Sequence, residues 1–322
     1  MSLIEAIRST LASEMERDER VMILGEDVGK SGGVFRATDG LQERFGADRV
    51  VDTPAAEAAI VGASIGLATA GWVPVPELQF LGFAHQAFHQ LGHQLARFRY
   101  RTNARFTAPV TIRAPYGGGV RAPELHSDAF ESLLIHCPGI KVVAPWTAAD
   151  AKGLLTSAIR DPDPVFFLEP LKGYRLVRDD VPEDEHTVAF GKLRVAREGD
   201  DVTVVAWSAM VQPALEAAEA AAADGISVEV VDLRSLVPLD VDGLRERVAR
   251  TGRAIVVQEA PLTAGFASEV VATIQEEAFE YLEAPVARVS GYDTPYPMPQ
   301  LEDFYIPDAH RVLRQIKATA EF

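Results

Sequence analysis

The chain has 322 residues, 48% hydrophobic and 24% charged, a balance that belongs to a globular protein with a sizeable core and, by its length, two domains. Its net charge of −16 excludes an electrostatic nucleic-acid footprint and any attraction to anionic lipid. A single cysteine, Cys137, excludes an intramolecular disulfide and a CxxC metal site, and fits a reducing, cytoplasmic setting.

The first twenty residues carry Glu5, Glu14 and Glu16 and lack the apolar core of a signal peptide. Ile4, Ile7, Leu11 and Met15 recur at helical spacing, and Ser2 with Glu5 forms a capping box, so an amphipathic helix is predicted. The apolar run Val21–Leu24 reads as a buried strand ending in Gly25-Glu26-Asp27. Acids there stand where parallel α/β sheets bind ligands, although a solvated turn explains them as well. The glycines between 29 and 33 make a flexible loop that matches neither a dinucleotide fingerprint nor a phosphate-binding P-loop. A helix over Leu41–Phe45 and a short strand over Val50–Asp52 follow.

The most informative stretch runs from Asp52 to Phe83. Ala58–Ala70 is uncharged and rich in Ala, Gly, Ile, Val and Leu, with one carboxylate, Glu57, at its upstream edge. It is too short to span a bilayer, which takes about 20 residues, and Pro74 and Pro76 follow it. The pattern predicts a buried helix whose Gly62 and Gly66 let another backbone approach. Glu57 is then either a helix-dipole partner in the first turn or a carboxylate held in an apolar site to move a proton. Glu77 lies in a strand-like run, Val73–Phe80.

Ala84, Phe88, Leu91, Leu95 and Phe98 predict a helix over 85–101. His85, His89 and His93 share one of its faces at a spacing that metal ligands can use, but no acid stands beside them. A polar face, or a subunit contact, accounts for them better. The strand Pro109–Ala114 leads into Tyr116-Gly117-Gly118-Gly119, a loop with unusual backbone freedom. Glu124, His126, Ser127 and Asp128 cluster after it. His126 is a candidate proton donor or anion contact, with an ordinary solvated histidine as the alternative. Neighbours on one segment rarely converge, so no Ser–His–Asp triad is read here.

Strand Ile140–Val143, helix Ala148–Ile159 and strand Val165–Leu168 complete a strand–helix alternation, which predicts a parallel sheet with helices on its faces. Asp161-Pro162-Asp163-Pro164 is a turn, or a cation site built from carbonyls and Asp. From Tyr174 the chain turns polar and acidic. This sets the expected division: a first domain over 1–175, a linker over 176–198 and a C-terminal α/β domain over 199–322. That last domain reads as strands Val202–Ala206, Ser227–Asp232, Ala254–Gln258 and Val286–Val289, with helices between them and a closing helix, Ala309–Lys317.

Taken together these motifs resemble the beta subunit of the decarboxylating (first) component of 2-oxo-acid dehydrogenase complexes, the pyruvate, branched-chain and acetoin enzymes dependent on thiamine diphosphate. The likeness rests on LGEDVG (Leu24–Gly29), DTPAAEAAIVGASIGLATAG (Asp52–Gly71), PELQF (Pro76–Phe80), IRAPYGGG (Ile112–Gly119), HSD (His126–Asp128), HCPGIKVVAPW (His136–Trp146), DAKGLL (Asp150–Leu155) and VVDLRSLVPLD (Val230–Asp240). It covers nearly the whole chain. It implies a transketolase-like pyrimidine-binding domain followed by a transketolase C-terminal-like domain, each a mainly parallel sheet flanked by helices, the second serving subunit association with only a slight part in the active site.

The resemblance also implies roles. Glu57 falls on the family glutamate that hydrogen-bonds the cofactor's aminopyrimidine and so activates it. Ala55, Gln79 and Phe83 line the aminopyrimidine pocket. His126 lies at the substrate end, toward the reacting intermediate or the incoming lipoyl group. Val110, Ala158, Ile159, Asp161 and Asp163 match a structural monovalent-cation site, usually potassium. Asp128 replaces the commoner glutamine and adds a negative charge beside His126. The Gly-Asp-Gly start of a Mg²⁺–diphosphate site is missing. The resemblance therefore implies an alpha subunit that holds Mg²⁺, an α2β2 heterotetramer, and a lipoyl acyltransferase core as further partner. The expected reaction is oxidative decarboxylation of a 2-oxo acid. IRAPYGGG (Ile112–Gly119) and FFLEP (Phe166–Pro170) lean toward branched-chain members and APW (Ala144–Trp146) toward pyruvate members, so a branched-chain substrate is the expectation, with pyruvate and acetoin enzymes as alternatives. Rival expectations are a non-catalytic scaffold module and a self-sufficient transketolase-like enzyme.

Overall fold

The structure is a computed structural model that describes residues 1–322. In chain order its elements begin with α1 (Leu3–Arg17), β1 (Val21–Gly25), α2 (Leu41–Phe45), β2 (Val50–Asp52), α3 (Glu57–Thr69) and β3 (Val73–Glu77). They continue through α4 (Phe98–Arg101), β4 (Thr111–Tyr116), α5 (Glu131–Ile135), β5 (Lys141–Val143), α6 (Ala148–Arg160), β6 (Val165–Pro170) and α7 (Gly173–Leu176). The C-terminal part holds β7 (Arg194–Arg197), β8 (Val202–Ala206), α8 (Val211–Ala222), β9 (Val228–Asp232), β10 (Ser235–Val237), α9 (Val241–Thr251), β11 (Ala254–Pro261), α10 (Phe266–Ala278), β12 (Ala287–Gly291), α11 (Glu302–Tyr305) and α12 (Ala309–Ala320). No helix is long and apolar enough to cross a membrane.

Two compact units divide the chain. The first comprises residues 1–116 and 133–190, the second residues 117–132 and 191–322. In the first, six parallel strands run in the order β5-β6-β4-β3-β1-β2. Strands β1, β3, β4 and β6 are buried along their whole length, as expected of a parallel sheet covered on both faces. Helix α1 starts with the predicted capping box, Ser2 and Glu5 satisfying each other's backbone amides. It packs on α6, and Arg160 of α6 reaches the Glu14 carboxylate of α1 with both Nε (3.0 Å) and Nη2 (2.7 Å).

The acidic stretch read from sequence as the start of a linker is tied to this unit up to Phe190. Asp179 accepts the Ala148 amide at the start of α6, and Lys152 Nζ donates to the carbonyls of Glu183 (3.2 Å) and Asp184 (3.0 Å). Ser157 Oγ donates to the Val188 carbonyl, and a Cβ at Gly153 would fall 2.4 Å from Val188.

In the second unit the order is β12-β11-β8-β9-β7, parallel except for β7, which runs antiparallel to β9 at the edge. The loop after β4, residues 117–132, belongs to this unit although its sequence lies inside the first domain's span. Its glycines are clasped by acids of the C-terminal half, as described below.

The helix predicted over 85–101 is three pieces: a 3₁₀ turn over Leu81–Ala87, a π-helix over His89–Leu95, and α4. Gly92 sits where a Cβ would lie 3.0 Å from Cys137 Sγ, a closeness that side-chain periodicity does not reveal.

Candidate active site

The register of the first sheet gathers the site. Gly25 at the end of β1 lies level with Asp52 of β2 and Glu77 of β3. The chain leaves β1 for β2 on one side and comes back to β3 on the other, so the strand order reverses here. Ligands of open α/β sheets bind in the crevice outside such carboxyl ends. The segments that follow the three strands carry Glu26 and Asp27, Ala55 and Glu57, and Gln79 and Phe83.

Each segment has a local reason for its path. The loop after β1 is tied down by Asp52, which accepts the amides of Gly29 (2.6 Å) and Lys30 (3.2 Å). A Cβ at Gly29 would lie 2.1 Å from Gln42 Nε2, so a larger residue would displace the Gln42 side chain. After β3 the chain turns into the 3₁₀ segment beneath a small aromatic cluster. Phe80 and Phe83 meet edge to face with centroids 5.6 Å apart, Phe35 meets Phe80 at the same distance, and Tyr174 lies 5.5 Å from Phe35. Gln79 and Phe83 remain half-buried, and Ala55 is exposed.

Glu57 is the first residue of α3, with Ala56 at the N-cap and no side-chain cap. Its side chain does not stand in solvent: the residue is 4% exposed, and its Oε2 is buried with no hydrogen-bond partner. A buried carboxylate oxygen left unsatisfied costs about 1–3 kcal/mol or more. A simple dipole cap in the first helical turn stays in water and has no such cost. Burial, the charge of Asp27 and that of Glu57 push the Glu26 carboxyl above its ordinary range.

Helix α3 is buried on one side only. It packs on β3 and the 3₁₀ turn through Ile60, Val61, Ser64 and Ala68, while Ala59, Ala63, Gly66 and Ala70 are exposed. Nothing in this chain approaches Gly66, and Gly62 faces only the Gln90 side chain. A sequence apolar all round cannot distinguish its inner from its outer face.

Glu77 has a different fate. Three neighbouring strands contribute to one buried ionic cluster: Glu77 of β3, Arg113 of β4 and Glu169 of β6. Arg113, fully buried, donates to Glu169 through Nε (2.6 Å) and Nη2 (3.0 Å) and to Glu77 through Nη1 (2.8 Å). The Tyr174 hydroxyl also donates to Glu169. One guanidinium serves two carboxylates. Burial pushes the Glu77 carboxyl up, Arg113 opposes this, and the Glu169 charge adds to it. Burial works against the Arg113 charge as well, but Glu169 and Glu77 outweigh it and raise its pKa. Sequence reading passed over this cluster, because its members lie 36 and 56 residues apart and meet only through strand order.

The other expected residues lie on other segments of the chain. His126 closes a 3₁₀ turn, Glu124–His126, half-buried, in the loop that belongs to the second unit. In the proposed cation segment Asp161 Oδ1 lies 2.7 Å from Lys141 Nζ, and Asp163 Oδ1 lies 2.6 Å from Arg99 Nε. The carbonyl of Ala158 accepts the Asp161 amide, and that of Val110 accepts the Val165 amide. Both carboxylates thus face cationic side chains. His85, His89 and His93 are exposed; the rings of His89 and His93 lie 5.3 Å apart, and Gln94 bonds His89.

Residues 1–176 match the pyrimidine binding domain of transketolase, and residues 191–312 match the transketolase C-terminal domain. The pyruvate dehydrogenase E1 component subunit beta of Bacillus subtilis (strain 168) is 52% identical over 322 residues, covering 100% of this chain and 99% of the relative. The subunit of the same name from Staphylococcus epidermidis is 51% identical, with the same coverage. The chain belongs to the beta subunits of thiamine-diphosphate-dependent 2-oxo-acid dehydrogenases. Among solved structures, a chain described as "Split gene transketolase, inactive beta4 tetramer" superposes with a TM-score of 0.80 at 25% identity, covering 100% of this chain and 98% of that one. These E1 beta relatives are named for pyruvate, not for the branched-chain substrates toward which FFLEP leaned.

Proposed function

We propose that this beta subunit binds the aminopyrimidine half of thiamine diphosphate at the ends of β1, β2 and β3 and serves a pyruvate dehydrogenase. The observation that carries the reading is the Glu57 carboxylate, buried at the start of α3 with Oε2 unsatisfied. Such an acid fits a ring nitrogen that needs a hydrogen-bond partner. When bound, the cofactor supplies the electron sink for decarboxylation. Glu57 would hold the proton at the pyrimidine ring, the half-buried Phe83 would offer an aromatic face, and Gln79 and Ala55 would line the pocket. His126 would act at the substrate side. Pyruvate is favoured over branched-chain 2-oxo acids by the names of the relatives.

The second half of the site comes from a partner. The chain has no Gly-Asp-Gly for a Mg²⁺–diphosphate site, and its net charge of −16 disfavours a naked diphosphate. The uncharged outer face of α3 is the surface for an alpha subunit, which brings Mg²⁺ to an α2β2 assembly. A lipoyl acyltransferase core is the acceptor of the acyl group. A potassium ion at the carbonyls of residues 158–163 would be structural.

Co-expression with the alpha subunit followed by calorimetric titration of thiamine diphosphate tests the reading. Binding to the wild-type pair, lost or strongly weakened by Glu57→Ala, is the expected result. A pair that binds no cofactor leaves a scaffold, and turnover by the beta chain alone restores a self-sufficient enzyme. Rates on pyruvate, 3-methyl-2-oxobutanoate and 2-oxoglutarate then rank the substrates, with pyruvate fastest.

A further inference from the structure

The C-terminal half of a two-unit chain is readily assigned to assembly alone. In this protein that half also includes the loop 117–132. It leaves β4 through Gly117 and Gly118, carries His126, and ends in Glu131. At each of its ends the second unit holds it by a buried acid or to a buried aromatic.

Glu259 on β11, 5% exposed, accepts the Gly118 amide at 2.6 Å. Gly117 has φ +76°, and a Cβ there would lie 2.8 Å from Glu259 Oε2. A Cβ at Gly118 would lie 1.6 Å from the Tyr296 hydroxyl. The positive φ favours glycine at 117, and a side chain at 118 would displace the Tyr296 ring. Glu302 of α11, 1% exposed, accepts the Arg121 amide through both carboxylate oxygens at 3.2 Å, and the Tyr296 hydroxyl donates to Glu302 Oε2 at 3.1 Å. At the far end Trp207 Nε1 donates to Glu131 Oε1 at 2.7 Å, with the indole packed edge to face on Phe266. Burial pushes the Glu131 carboxyl up, against the pull of its own backbone amide and the indole. Arg121 takes a positive φ, and its guanidinium pairs with Asp303.

Buried acids that each accept a loop amide are costly to assemble and form strong charge-assisted bonds once in place. A loop with no task would need none of them. We propose that Glu259 and Glu302, with the Trp207–Glu131 pair, are positioning residues that fix the loop carrying His126 for the substrate-side role proposed for that residue. The inference rests on the reading of His126 given above. His126 itself sits on a single 3₁₀ turn, which cannot hold its own place. Its aim is set by the anchors on either side.

The test pairs Glu259→Ala with Glu259→Gln and adds His126→Ala, all in the full chain. Deuterium exchange over the peptide 117–132 reads whether the clasp holds the loop. Turnover of pyruvate with the alpha subunit, and calorimetric binding of thiamine diphosphate, read whether that matters. Glu259→Ala should speed exchange in the loop roughly tenfold, the effect of one lost charge-assisted bond on local opening. It should lower kcat by up to about 10²-fold, the scale of a small misplacement of a reacting group. Cofactor affinity should not change. Glu259→Gln keeps the acceptor for Gly118 and should restore both readouts. Unchanged loop exchange in Glu259→Ala overturns the clasp. Faster exchange with undiminished turnover overturns the positioning role. Full turnover by His126→Ala overturns the role of His126 itself, and the exchange data keep that failure distinct from failure of the clasp.

Discussion

Glu57 and Glu77 are both glutamates, both nearly fully buried, and both at the carboxyl end of the same parallel sheet. One has an oxygen with no partner; the other is met by a fully buried arginine. Arg113 satisfies Glu77 within the fold, whereas Glu57 is the acid for which a ligand contact is proposed. A fold that can place Arg113 against Glu77 and Glu169 across three strands is able to satisfy a buried acid. It leaves Glu57 unsatisfied at the mouth of the crevice, where a ligand can do so.

The largest expected effect breaks the comparison on the Glu57 side. Glu57→Ala, assembled with the alpha subunit, should lower turnover by about 10²–10⁴-fold, the usual share of a positioned proton-transfer group. Its unfolding free energy in urea should fall by no more than about 1 kcal/mol, since the lost side chain leaves no stranded partner. A variant with near-normal turnover would place Glu57 among ordinary helix-start acids.

Arg113→Met is the counterpart on the Glu77 side. It strands two buried carboxylates and should cost about 3–5 kcal/mol of stability at neutral pH, read from urea unfolding of the full chain. Combining it with Glu77→Gln should recover part of that cost, because one of the stranded charges is then gone. If Arg113→Met is as stable as wild type, the cluster does not hold these strands together.

Glu77 also has a pH signature. Its carboxyl is raised in the folded chain, so folding takes up a proton between the ordinary glutamate range and the higher folded value. Its favourable contribution is complete below about pH 4.5 and is lost as pH rises through the folded pKa. Glu77→Gln removes that dependence. Relative to wild type the variant should gain stability steadily as pH rises from 4.5, measured by urea midpoints across the range. A constant difference between the two proteins would mean that Glu77 is not raised.

The two acids also differ in how far the sequence betrayed them. Glu57 was legible because a lone carboxylate at the edge of a long uncharged run is an anomaly, and the surrounding motif resembled a known family. The strands and the capping box of α1 were legible from period and punctuation. Glu77 read only as an acid in a strand-like run, because its partners lie on β4 and β6 and strand order is invisible in linear spacing. The loop 117–132 was misplaced for the same reason: its glycines announced freedom, while the acids that clasp them lie more than a hundred residues downstream. The π-helix at His89–Leu95 left no signature, since its apolar residues keep an ordinary helical spacing.

The smallest expected effect sharpens the comparison without disturbing either cluster. Glu26, just beyond β1, is raised by burial first, then by the charge of Asp27, then by that of Glu57. Glu57→Gln removes the third cause and keeps the shape of the side chain. The Glu26 carboxyl should therefore move down toward the ordinary glutamate range, though not all the way, because burial and Asp27 remain. Carbon-13 NMR of labelled glutamate carboxyls, titrated in both proteins, measures the difference. Glu77→Gln serves as the control: its charge is already compensated by Arg113 and does not figure among the causes at Glu26, so Glu26 should not respond. An equal response to both substitutions would mean that the sheet's carboxyl end carries one diffuse negative field. A response to Glu57 alone would locate the uncompensated charge at the start of α3, where the cofactor ring is proposed to meet it.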